Sequence, residues 1–103
     1  MSAFEAQWVD ESTLRLHGEL GFATAATALA AGERMINAGS AELQIDCAGL
    51  THVDSAGLAV LLEWLAMAAR RSRPIGWINL PESLRQLAAI SEVQDWLVPL
   101  PGR

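Results

Sequence analysis

Two short motifs, Leu43-Gln44-Ile45-Asp46-Cys47 and Asp54-Ser55-Ala56-Gly57-Leu58, stand one loop apart, and the second opens a long apolar run. The first motif has the apolar and β-branched composition of a buried strand. Residues 56–69 contain no proline and only one charged residue, Glu63, so they are predicted to form a helix. This strand, turn and helix place the Ser55 hydroxyl between a strand layer and a helix layer.

The predicted helix is apolar on more than one side. One set of residues has the spacing of a face that packs on a sheet: Leu58, Leu61, Leu62, Leu65 and Ala69. A second side, at about 100° per residue, holds Ala56, Val60, Glu63, Trp64, Met67 and Arg71. If the helix only covered a sheet, Trp64 and Met67 would face outward. Either a neighbouring loop or helix buries them, or the stripe formed by Val60, Trp64 and Met67 docks onto a partner.

Ser55 lies where this helix begins, close to four unpaired backbone N–H groups and the positive end of the helix dipole. Either Asp54 or Ser55 is expected to be the N-cap residue, since both side chains accept hydrogen bonds from such groups. A helix N-terminus also stabilises negative charge, which makes Ser55 a candidate phosphate acceptor. A phosphate there would have to be accommodated at any docked interface, so phosphorylation would act as an off switch.

These motifs resemble the STAS domain of sulfate transporters and anti-sigma factor antagonists. The resemblance is carried by the strand at 43–47, the turn and helix start at 52–58, and the earlier Leu16-His17-Gly18-Glu19-Leu20, and it covers nearly the whole chain. In anti-sigma factor antagonists the serine of this turn is phosphorylated by a partner kinase. The resemblance therefore implies that Ser55 is the corresponding residue.

The chain also resembles the small MlaB-type STAS subunits of the Mla phospholipid-transport ABC complex, through Gly18-Glu19-Leu20 and residues 57–62. In that subgroup a threonine often replaces the serine at position 55. This resemblance implies a non-catalytic subunit that binds and regulates the ATPase of a complex maintaining outer-membrane lipid asymmetry. The alternative is an anti-sigma factor antagonist that binds a kinase and is regulated by phosphorylation of Ser55. The predicted partner contacts are Asp54, Ser55, Ala56, Gly57, Val60, Glu63, Trp64 and Met67.

Composition limits the other classes of function. The chain has 103 residues, 51% of them hydrophobic, which suits a single domain spanning 1–103. Twelve acidic against seven basic residues disfavour nucleic-acid binding, and the absence of lysine excludes a Walker A loop or a Schiff-base enzyme. Asp46 and Asp54 alone supply too few ligands for a metal site. In an α/β-hydrolase the catalytic histidine follows the serine in the chain, and no histidine follows Ser55. We therefore predict no enzyme activity, cofactor or metal.

The remaining pattern predicts a hairpin over 4–17, a helix from about 24 to 37, a strand at 75–79 and a helix from Pro81, followed by an extended tail. Cys47 is expected to be a small buried hydrophobe. The fold class is α/β and STAS-like, a mixed sheet of four to five strands with helices mainly on one face. The N-terminal residues show no secretion signal, so we expect a cytoplasmic protein that reaches the inner face of the inner membrane only through its partner.

Overall fold

The structure is a computed structural model that describes residues 3–101. Within that range it has four strands, three α-helices and one 3-10 turn. In chain order they are β1 (Glu5–Trp8), β2 (Thr13–Leu20), α1 (Ala25–Asn37), β3 (Leu43–Val53), α2 (Ser55–Arg70), β4 (Ile75–Ile78), α3 (Glu82–Ile90) and the turn Gln94–Trp96.

The strands form one mixed sheet in the order β1-β2-β3-β4. The hairpin strands β1 and β2 are antiparallel, while β3 is parallel to both β2 and β4. Parallel neighbours need a long crossover, and α1 and α2 provide the two crossovers. The predicted α/β architecture with a mixed sheet is confirmed, with four strands.

Strand β3 is longer than the sequence indicates. A strand was expected at 43–47, followed by a loop, but pairing with β2 continues to Val53. The register between the two strands shifts twice, between Arg15 and His17 and between Gly18 and Glu19. Such irregularities interrupt the alternation of buried and exposed residues by which a strand is recognised in a sequence.

Trp64 is fully buried, so of the two alternatives the structure shows burial by a neighbouring helix, and Trp64 is not part of an exposed docking stripe. Its Nε1 donates a hydrogen bond to the Ala28 carbonyl of α1 at 3.2 Å. Its ring stacks on Trp77 of β4, with centroids 6.5 Å apart, and meets the edge of Phe4. Val60 is also buried. Helix α1 packs across this side of α2, so the predicted docking stripe is mostly part of the core.

Cys47 and Arg73 are also buried, one as an apolar side chain and the other through hydrogen bonds. Cys47 is buried, as predicted, and burial raises the pKa of its thiol to about 12. In the sequence, Arg70, Arg71 and Arg73 cluster at the end of the long apolar run, which predicts that Arg73 offsets the negative end of that helix dipole. Instead its guanidinium is buried and donates to the carbonyls of Met35, Ile36 and Ala41, so it caps the C-terminal end of α1.

The tail after α3 includes the 3-10 turn Gln94–Trp96 where extended chain was expected, and residues 98–100 then continue without regular secondary structure. Its Val98 carbonyl accepts a hydrogen bond from the Trp77 N–H at 3.0 Å, along the free edge of β4. Leu97 and Leu100 are buried. In the part of the chain that the structure describes, no helix combines the length and apolar character needed to cross a membrane.

Gly32 makes the packing of α1 on α2 possible, because a Cβ at this position would overlap the Trp64 indole. We expect Gly32→Ala to lower the free energy of unfolding by roughly 1–3 kcal/mol, since overpacking outweighs the higher helix propensity of alanine. Urea unfolding measures this. Gly39→Ala is the matched control: its Cβ would have no neighbour closer than 3.5 Å, so its stability should change little. A Gly32→Ala protein as stable as the parent would contradict this packing.

Candidate functional site

Asp54 is the N-cap residue of α2 and also holds the turn between β2 and α1. Its Oδ1 accepts a hydrogen bond from the Gly57 N–H at 3.0 Å, and its Oδ2 accepts one from the Phe22 N–H at 3.1 Å. Ser55, the first helical residue, is exposed, and its hydroxyl has no hydrogen-bond partner among residues 3–101. Because Asp54 does the capping, the Ser55 hydroxyl is free for a partner or a modifying enzyme.

The electrostatics of this turn keep Asp54 ionised. Hydrogen bonds from Gly57 and then Phe22 hold the pKa of its carboxyl below the ordinary value of 3.8, with a smaller opposing effect of desolvation. A fixed carboxylate therefore precedes Ser55 at the positive end of α2. Neither histidine hydrogen-bonds Ser55 within the described range, so the geometry of a catalytic triad is not seen.

The turn between β2 and α1 presents an aromatic side chain next to Ser55. The helical spacing of Phe22, Ala25, Leu29, Gly32 and Ile36 predicts that Phe22 packs inward as part of a helix, but α1 begins at Ala25 and Phe22 is 86% exposed. The turn itself is tightly held: the Thr24 hydroxyl accepts from the Gly21 N–H at 3.0 Å and donates to the Glu19 carbonyl at 2.9 Å. Helical periodicity does not apply to a residue in such a turn.

The side of α2 that faces away from the core starts at Ser55 and consists of small and apolar residues. We call this the outward stripe: Ser55, Ala59, Leu62, Ala66 and Ala69. Three of the five, Ser55, Ala59 and Ala69, are exposed, and the other two are half-buried. Beside the stripe, Glu63 and Arg70 form an exposed ion pair at 3.3 Å. A long helix with so few charges on its solvent side is typical of a protein-binding surface.

A shallow groove of about 740 Å³ runs between α1 and α2 next to the outward stripe. From α1 it is lined by Ala25, Leu29, Ala30 and Glu33, and from α2 by Ala56, Ala59, Val60, Glu63, Met67 and Arg70. The groove is largely apolar, with acidic side chains among its lining residues. Its position makes one continuous surface with the Ser55 turn.

The predicted partner contacts divide into three groups. Ser55 and Glu63 are exposed, and Asp54, Ala56 and Met67 are half-buried around the turn and the groove. Gly57, Val60 and Trp64 are buried. Gly57 packs against the end of β2, and Trp64 lies under α1, so neither is a surface for a docked protein.

Sequence reasoning missed the exposed positions Phe22 and Ala59 and the half-buried positions Leu62 and Ala66. The signal for the correct rotation of the helix was present, because Gly57, Leu61, Trp64 and Ala68 also follow the spacing of a buried face. This second helical pattern competes with the one through Leu58 and Leu65. Only the position of α1 distinguishes them.

A second polar cluster lies on the sheet. Asp46 is 4% exposed and accepts hydrogen bonds from the Arg15 Nε at 3.1 Å, the Asn79 Nδ2 at 3.0 Å and the Ala48 N–H at 2.9 Å. Burial raises the pKa of this carboxyl, but the three hydrogen bonds outweigh burial and hold it below the ordinary value. Asp46 is satisfied by its neighbours and belongs to the structure of the sheet. Between residues 3 and 101 no three His, Cys, Asp or Glu residues are grouped as metal ligands.

The fold and the Asp54-Ser55 turn define a STAS domain. A family model described as "Mlab, STAS domain" matches residues 4–99, so the chain belongs to this family, and the resemblance seen in the sequence is confirmed. No curated protein sequence matches the chain.

Solved structures share the fold at low sequence identity. The anti-sigma factor antagonist SpoIIAA in its unphosphorylated form aligns with a TM-score of 0.72 and 19% identity, over 93% of this chain and 86% of that chain. The phosphorylated form of SpoIIAA, a Bacillus cell fate determinant, gives 0.68 and 19% over 93% and 89%. An anti-sigma factor antagonist from Mycobacterium paratuberculosis gives 0.76 and 16% over 98% and 86%.

The lowered pKa of Asp54 predicts a pH dependence of stability. Folding lowers this pKa, so the carboxylate stabilises the fold above 3.8, and that contribution is lost as the pH falls through the folded-state value below 3.8. Asparagine retains N-cap ability but does not titrate. The stability difference between the parent and Asp54→Asn, measured by urea unfolding, should therefore shrink between about pH 6 and about pH 3. An equal difference at both pH values would contradict the assignment.

Proposed function

We propose that this protein is a non-catalytic STAS subunit that binds and stabilises or regulates the ATPase of an Mla-type phospholipid-transport ABC complex. Two observations support this function. The family model is the MlaB-type STAS domain, and the free Ser55 hydroxyl opens a continuous, mostly uncharged surface on α2. The domain supplies contact surface, while the partner carries out nucleotide hydrolysis.

The outward stripe is the observation that carries the proposal. Alanine at 59, 66 and 69 lets the backbone of another helix approach α2 closely, and Leu62 adds apolar area to the contact. Beside the middle of the stripe, the charges on Glu63 and Arg70 are already paired with each other, and the Asp54 carboxylate at its start accepts two backbone hydrogen bonds. Docking here therefore leaves these charged groups with their partners, which suits a lasting subunit contact. Association with a membrane would follow from the partner.

The role of Ser55 in this complex is that of a neutral polar contact. An unphosphorylated hydroxyl both donates and accepts a hydrogen bond, and it sits where backbone N–H groups of the first turn of α2 also point outward. A partner carbonyl placed there would be matched in hydrogen bonding. A threonine would serve equally well.

A charge placed in the outward stripe should prevent docking. Ala59→Glu puts a carboxylate in the middle of the stripe at an exposed position, so the domain should stay folded while recovery of the ATPase with the tagged protein is lost. Ala89→Glu, the same change at an exposed position on α3, is the control and should leave recovery unchanged. Trp64→Glu is unsuitable, because it would bury a charge in the core. Full recovery of the ATPase with Ala59→Glu would refute the proposal.

A second candidate function is that of an anti-sigma factor antagonist regulated by phosphorylation of Ser55. The exposed hydroxyl at the start of α2 favours it, because a kinase can reach this atom. Among proteins with this fold, SpoIIAA is an anti-sigma factor antagonist whose structure has been solved in both unphosphorylated and phosphorylated forms. In this version the partner is an anti-sigma factor with kinase activity.

This alternative predicts that a cognate kinase labels Ser55. Ser55→Ala should abolish labelling, and Ser55→Asp should release the partner, because a fixed negative charge follows Asp54 at the interface. Ser83→Ala is the control, since Ser83 is also exposed in the first turn of a helix, α3, and should not affect labelling. Phosphopeptide mass spectrometry locates the label. Labelling that persists in Ser55→Ala would exclude this mechanism.

A further inference from the structure

We propose that Phe22 is an anchor residue, which inserts its ring into an apolar pocket with a basic rim on the partner ATPase. This inference rests on the proposed function and names the chemistry of the partner surface. Among the large hydrophobic side chains of residues 3–101, Phe22 is the most exposed, at 86%. Aromatic rings that insert into a partner's pocket are among the residues that dominate binding energy.

The structure holds the backbone of Phe22 in a fixed place. Its N–H donates to Asp54 Oδ2, and the residues on either side are tied by the Thr24 hydroxyl, which bonds to the Gly21 N–H and the Glu19 carbonyl. The Thr24 N–H also donates to the Gly21 carbonyl at 3.0 Å. A ring displayed on an ordered turn loses little backbone freedom when it binds, which strengthens association.

Asp54 joins this ring to the Ser55 surface. One oxygen of its carboxylate caps α2 and the other accepts from the Phe22 N–H, so the start of α2 and the Phe22 backbone are fixed relative to each other through a single side chain. A partner that docks on the outward stripe therefore meets the Phe22 ring at the end of the stripe where α2 begins.

Charge indicates what lies around the partner's pocket. Residues 18–26 and 53–60, the turn that carries the ring and the start of α2 beside it, contain two acids and neither arginine nor lysine. The acids are Glu19 and Asp54. A complementary surface would carry basic side chains around its apolar pocket, and such a pair of surfaces associates faster at low ionic strength.

The test is the affinity of the full chain for the purified ATPase, measured at two salt concentrations. Phe22→Ala should weaken binding by about 30-fold or more, because the pocket loses its occupant, without changing the melting temperature. Ile90→Ala is the matched control: Ile90 on α3 is 80% exposed, and its loss should not change the affinity. Affinity for the parent chain should fall as salt is raised.

A double-mutant cycle tests the link through Asp54. Asp54→Asn keeps one oxygen to cap α2 but replaces the acceptor of the Phe22 N–H with a donor, so it should weaken binding in the parent chain. In the Phe22→Ala background the same change should have a smaller effect, because there is no ring left to position.

The outcomes separate the two proposals. If the parent chain binds the ATPase and Phe22→Ala binds it equally tightly, the anchor is overturned and the proposed function stands. Binding that depends on Phe22 but not on salt would overturn the basic rim. Failure of the parent chain to bind the ATPase at all would overturn the proposed function, and the anchor with it.

Discussion

The burial of Trp64 determines how α2 is presented to solvent. Nine residues, or about two and a half helical turns, separate Ser55 from Trp64, so the two side chains project from opposite sides of the helix. Because Trp64 is hydrogen-bonded to the Ala28 carbonyl and stacked on Trp77 inside the core, Ser55 on the opposite side of α2 points away from the core. The small residues of the outward stripe follow Ser55 on the same side. The buried contacts of Trp64 therefore determine which side of α2 is exposed to solvent.

A single carboxylate organises the end of that surface. Asp54 closes the first turn of α2 and holds the β2–α1 turn, which frees the Ser55 hydroxyl and fixes the Phe22 backbone beside it. The fold brings these groups together because the parallel strands β2 and β3 finish side by side, and each leads into a helix at that end of the sheet. The site is therefore built from two crossover connections that are far apart in sequence.

Much of this was predictable from the sequence, and the failures have physical causes. Apolar runs, prolines and the Asp54-Ser55 turn placed the helices and most strands correctly. The rotation of α2 was assigned wrongly because its sequence contains two overlapping buried faces, and only the packing of α1 through Gly32 selects the one with Trp64. The long-range role of Arg73, which caps α1 from beyond α2, leaves no local pattern in the sequence.

Hydrogen–deuterium exchange of this chain, alone and with the ATPase, tests the central claim most directly. If the Ser55 end of α2 is the docking surface, the ATPase should slow exchange in peptides covering residues 19–30 and 54–66, while peptides from α3, residues 82–92, should exchange as in the free domain. Slowed exchange confined to α3 and the tail, with residues 54–66 unaffected, would contradict the account.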